Sequence, residues 1–113
     1  MLLLYTNQNK MSKLTGQFCK TPTGISCYEI YAAGPDILPK IANLSQISFG
    51  LTPEPLIDGF DVFYLDCVKE GVAITIGWDI WSGCFIMPLY SSTENEKTVD
   101  EIGVFLTPLL NTF

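Results

Sequence analysis

Carboxylates, aromatics and thiols are the groups in this chain that could do chemistry. There are twelve acids against six basic residues, all six of them lysine, and neither histidine nor arginine occurs. Without histidine there is no Ser-His-Asp or Cys-His nucleophile, and no imidazole metal ligand. Without arginine there is no bidentate phosphate clamp. No catalytic motif remains, and neither a metal nor a cofactor is expected.

The acids are unevenly placed. Residues 1–50 hold four lysines and two acids, Glu29 and Asp36. Residues 51–113 hold two lysines and ten acids: Glu54, Asp58, Asp61, Asp66, Glu70, Asp79, Glu94, Glu96, Asp100 and Glu101. A solvated acidic surface keeps small proteins apart. It also speeds encounter with a basic partner and enforces specificity. The same field repels nucleic-acid phosphates and anionic lipid, so neither nucleic acid nor membrane is an expected partner.

The most distinctive string is Gly77-Trp78-Asp79-Ile80-Trp81-Ser82-Gly83, which holds both tryptophans. Strand alternation, if it runs through the string, puts Trp78 and Ile80 on one face and Asp79 and Trp81 on the other. One tryptophan then plugs the core and the other tops the opposite face or the hairpin end. Asp79 and Ser82 can satisfy turn backbone groups. Alternatively, Asp79 and Trp81 project as an interface anchor with a charged neighbour. Acid–base chemistry would need a second carboxylate converging with the first, such as Asp66 with Asp79.

The cysteines, at positions 19, 27, 67 and 84, form no Cys-x-x-Cys pair, which argues against a zinc knuckle or a redox motif. They read as small buried hydrophobes with reduced thiols, Cys67 and Cys84 inside strand-like runs. The opening Met-Leu-Leu-Leu-Tyr-Thr has neither the basic lead nor the apolar length of a signal peptide, and no transmembrane stretch is apparent. A cytoplasmic protein is expected, and Met11 is an alternative start.

The elements that must position these groups follow from periodicity. At 113 residues the expectation is one domain, with residues 1–24 a poorly defined N-terminal segment. Leu14 and Phe18, four apart, suggest a short helix around 10–19. Residues 26–33 are aromatic and β-branched and read as a strand ended by Gly34-Pro35. Apolar residues at 37, 38, 41, 44 and 47 have helical spacing, with Asp36 as N-cap, Pro39 tolerated in the first turn and Gly50 as C-cap. Residues 51–59, with Pro53 and Pro55, read as a loop. Residues 60–68, 72–78 and 84–90 read as three strands joined by short turns, an antiparallel meander. From 93 to 111 the helical period returns, capped by Ser92 or Thr93, with Glu94 and Glu96 at its positive end and Pro108 kinking or ending it. The expected fold is a small α+β domain, with a three- to four-stranded antiparallel sheet packed with two amphipathic helices.

From about residue 36 to 106 this order resembles a class of small uncharacterised bacterial proteins. The resemblance is carried by Gly77-Trp78-Asp79-Ile80-Trp81-Ser82-Gly83, by Phe85-Ile86-Met87 and by Val99-Asp100-Glu101-Ile102-Gly103. In size and acidity the chain is also similar to immunity proteins of bacterial toxin–immunity pairs, including those of contact-dependent growth inhibition. That likeness implies a non-enzymatic inhibitor of a cognate protein toxin, such as a nuclease, whose basic cleft an acidic surface occupies as a rigid phosphate mimic. The candidate partner-binding residues are Asp58, Asp61, Asp79, Trp81, Glu94 and Glu96. A monomer or weak dimer is expected. The alternative is a small self-associating structural or regulatory domain.

Overall fold

The computed structural model describes residues 13–113. Among the described residues, seven strands, two α-helices and a terminal 3₁₀ helix follow one another: β1 (Thr15–Lys20), β2 (Ser26–Tyr31), α1 (Ile37–Phe49), β3 (Thr52–Pro53), β4 (Ile57–Asp58), β5 (Val62–Lys69), β6 (Val72–Asp79), β7 (Gly83–Pro88), α2 (Thr93–Leu106) and the 3₁₀ helix (Thr107–Thr112). All pairings are antiparallel. The sheet runs β1-β2-β7-β6-β5-β3, with β4 also pairing with β5.

The α+β class and the β5-β6-β7 meander agree with the sequence reading, but the sheet is larger than the three to four strands expected. Two segments account for the difference. The stretch around 10–19, expected as a helix, is strand from Thr15 to Lys20, while residues 10–12 lie outside the described residues. Two apolar residues four apart are weak helical support. β1 gains six rungs against β2 through the turn at Thr21–Gly24, closed by Gly24 N–H donating to Thr21 O at 2.8 Å. The stretch 51–59, expected as a loop, contains β3 and β4, two rungs each against β5. Pro53 is compatible with pairing there because β3 is an edge strand and needs no second ladder.

Alternation along the strands divides the sheet. One face carries Tyr28, Ile30, Leu65, Cys67, Ile74, Ile76, Cys84 and Ile86, which join Ile37, Leu38 and Ile41 of α1 and Val99, Ile102 and Leu106 of α2 in a single core. α2 packs over β1, β2, β6 and β7, and α1 over β3, β5 and β6. Phe49 and Phe105 meet edge to face at 5.5 Å where the helices adjoin. Gly103 lets α2 approach closely, since a Cβ there would stand 2.7 Å from both the Phe18 and Tyr28 rings.

The helix ends are set locally. Gly50 is left-handed at φ 70° and donates its N–H to Gln46 O, as expected of a glycine C-cap. Asp36 occupies the N-cap position of α1, but its side chain makes no capping hydrogen bond. Turn bonds from Ile37 N–H to Gly34 O and from Leu38 N–H to Pro35 O start that helix instead. For α2 the cap is Ser92, whose side chain accepts from Asn95 N–H. The α-helix ends at Leu106, and Pro108 lies in the first turn of the 3₁₀ helix that follows.

Candidate functional site

Two turns lie side by side at one end of the sheet. β4 leads through Asp58-Gly59-Phe60-Asp61 into β5, and β6 leads through Ile80-Trp81-Ser82 into β7. Val62 is directly opposite Asp79, so both turns leave the same end of the β5–β6 pair, one towards β4 and the other towards β7. The two turns are built alike. Asp58 Oδ1 accepts the N–H of Phe60 at 3.0 Å. Asp79 Oδ1 accepts the N–H of Trp81 at 2.9 Å and of Ser82 at 2.6 Å. In each, an aspartate folds the chain over its own carboxylate and an aromatic two residues later is thrown outward. Phe60 is 91% exposed and Trp81 76%.

The first turn is tightened further by Gly59 N–H to Val62 O at 2.8 Å and Asp61 N–H to Gly59 O at 2.9 Å. Phe60 sits at φ 74°, a left-handed conformation that is costly for a bulky residue. The second turn rests on Gly83, at φ 78°, where a Cβ would also lie 2.6 Å from Ile30 O. No other residue satisfies both the conformation and the space. Ile80, 59% exposed, adds a third apolar side chain to this tip. The expected alternation of Trp78 and Ile80 onto one face therefore fails at Ile80, because β6 ends at Asp79. Trp78 does turn inward. It packs against the core and Phe63, and its indole N–H donates to Ala33 O at 2.7 Å.

Of the six candidate residues, four lie in these two turns: Asp58, Asp61, Asp79 and Trp81. Asp58 and Asp79 shape the turns with their carboxylates, and Asp61 and Trp81 are exposed. Glu94 and Glu96 do not join them. They lie in the first turn of α2, reached from the tip along the length of β7, roughly 17 Å at the usual rise per residue. Glu96 Oε1 accepts the backbone N–H of Ser26 at 3.1 Å, tying α2 to the start of β2. Phe60 and Ile80 are tip residues that the sequence reading missed. The Asp-Gly-Phe run at 58–60 is a turn signal that pointed to Phe60.

Asp66 and Asp79 do not converge. Asp66 accepts from Thr75 Oγ1 at 2.8 Å, and along β5 it lies four residues from the rung of Asp79, roughly 13 Å away. Among the described residues no cluster of histidine, cysteine, aspartate or glutamate could hold a metal ion. No helix among them is long and apolar enough to cross a membrane.

Cys67 and Cys84 are buried on the helix-covered face, as expected. Burial pushes the Cys84 thiol up to about 12. Cys19 and Cys27 lie opposite one another on the face away from the two described helices, lining a shallow groove of about 470 Å³ with Glu29, Phe85 and Met87. The hairpin makes this pair, and a spacing of eight in sequence does not announce it.

Comparison with family models, with curated proteins and with solved structures finds no match to this chain.

Proposed function

We propose that this protein is a non-enzymatic inhibitory binding protein of the immunity type, which docks its acidic, aromatic tip into the basic cleft of a partner protein such as a nuclease toxin. The observation that carries this reading is the matched pair of aspartate-built turns, each presenting an exposed aromatic. Large apolar side chains in water cost stability that a fold can avoid, and the left-handed backbone at Phe60 adds strain. Aromatics of this kind become binding hot spots when a partner desolvates them. Asp61 and the acidic C-terminal half supply the steering charge for a basic surface. Because the turns are already held by side-chain hydrogen bonds, little ordering entropy is lost on docking.

The test is titration of the purified protein with the product of a toxin-like gene adjacent to its own, read by calorimetry and by neutralisation of the toxin. Saturable binding with loss of toxin activity supports the reading. Absence of binding, or binding unaffected by changes at the tip, overturns it. The alternative, self-association through the same apolar tip, predicts a concentration-dependent mass in sedimentation that Trp81→Ala abolishes.

A further inference from the structure

Cys19 and Cys27 are register partners in the β1–β2 hairpin and point to the face of the sheet opposite the two described helices. Cys27 is buried and Cys19 half-buried, and both thiols are free. The turn fixes the kind of rung they occupy. Thr21 N–H donates to Ile25 O at 2.9 Å, so Thr21 and Ile25 form a hydrogen-bonded pair. Antiparallel rungs alternate, which makes Lys20 and Ser26 a non-hydrogen-bonded pair and Cys19 and Cys27 a hydrogen-bonded one. The Cα atoms on such a rung stand about 5.5 Å apart, within the disulfide range. The Cβ atoms stand at about the same separation, whereas a disulfide holds them near 4 Å. Closing the bond must therefore draw the two strands together by about 1 Å at their Cβ atoms. Among the described strands β1 lies at the end of the order and pairs with β2 alone.

We infer that Cys19 and Cys27 form a reversible thiol–disulfide site, oxidised by a low-molecular-weight disulfide such as oxidised glutathione. Cys19, the more accessible thiol, loses its proton and attacks one glutathione sulfur. The glutathione S–S bond breaks and one glutathione leaves as thiolate. Cys27 then loses its proton, attacks the Cys19 sulfur of the mixed disulfide and expels the second glutathione. Two S–H bonds and one S–S bond are broken, and one protein S–S bond forms. The two electrons and two protons end on two molecules of reduced glutathione. The rung geometry makes the product strained, and strained disulfides are the readily reduced ones. Burial, the neighbouring Cys27 and Glu29 hold the Cys19 thiol up at about 12, which slows the exchange near neutral pH. Cys67 and Cys84 face the helix-covered core and are excluded from it.

The full chain is equilibrated with oxidised glutathione and examined by intact mass and peptide mapping, with circular dichroism to verify that it stays folded. The expected product has lost two hydrogen atoms, maps to a Cys19–Cys27 link and returns to the dithiol in excess reduced glutathione. Cys19→Ser should form no internal link, and Cys27→Ser should stop at a glutathione adduct on Cys19. Persistence of both thiols or a stable adduct in the wild-type chain overturns the inference. So does a link through Cys67 or Cys84, or a Cys19–Cys27 link that resists excess reduced glutathione.

Discussion

The two ends of the sheet use the same kinds of residue in opposite ways. At the α2 end, polar groups near the helix start are consumed by the fold. Asn95 is fully buried, accepts Ala73 N–H at 2.8 Å through Oδ1 and donates from Nδ2 to Tyr90 O at 2.9 Å. Its own N–H goes to the Ser92 cap, and Glu96 holds Ser26. At the tip, Asp58 and Asp79 also satisfy backbone donors, but their turns push Phe60 and Trp81 into solvent. A polar residue at an element boundary therefore has no fixed meaning. Where its partner lies on another element it welds the fold, and where its partner lies two residues along it shapes a projection.

That contrast can be broken by substitution. The largest effect belongs to Asn95→Ala, which orphans a buried N–H and a carbonyl and should cost about 2–4 kcal/mol in chemical denaturation. A cost under about 1 kcal/mol would show that the α2 end is not welded as described. Next comes Trp81→Ala. It should weaken partner binding by about 2 kcal/mol, roughly 30-fold, while changing stability by no more than about 0.5 kcal/mol. If stability falls and affinity does not, the tip is part of the core and the contrast disappears.

Phe60→Gly sharpens the comparison further. Glycine relieves the left-handed strain and loses some chain entropy, so stability should rise by about 1 kcal/mol or less while affinity drops. Opposite signs from one substitution, in thermal melts and in titration, would mark a residue kept for contact at the expense of the fold. Smaller still is Asp61→Lys, which should slow association a few-fold and flatten its salt dependence, with dissociation nearly unchanged, in stopped-flow measurements. The same reversal at Glu94 should have less effect, since it lies at the other end of the sheet.

The last effect appears only in alkali. Cys84 has a thiol raised from 9.0 to about 12 by burial, so the folded state holds a proton that the unfolded state gives up. Its contribution to stability is complete below pH 9 and is lost as the pH rises towards 12. Denaturation midpoints should fall across that window, and more gently in Cys84→Ala, whose stability at neutral pH is lower because a cavity replaces the sulfur.

The local signals were reliable where the determining contacts are local. Gly50 ended α1, Ser92 capped α2, and short turns joined the meander strands, much as their neighbours implied. The reading failed where a distant strand decides. Leu14 and Phe18 are compatible with helix or strand, and only pairing with β2 selects the strand. Thr52–Pro53 and Ile57–Asp58 are too short and too rich in proline to declare themselves, and they are strands because β5 offers them an edge. Of the candidate residues, Trp81 and the three aspartates lie in two turns at one end of the sheet, and the two glutamates in the first turn of α2.

Sequence alone determined the chemistry available: carboxylates, aromatics and thiols, with neither histidine nor arginine, and acids crowded into the C-terminal half. Composition needs no fold to exclude a reaction. It also determined the class, because periods of two and of three to four residues are written in the side chains themselves. Tertiary structure decided which groups meet. Register put the turns of Phe60 and Trp81 at the same end of the sheet, while folding tied Glu96 to Ser26 and set Cys19 opposite Cys27. Those are pairings across the chain, and their free energy comes from contacts that no window of neighbouring residues contains.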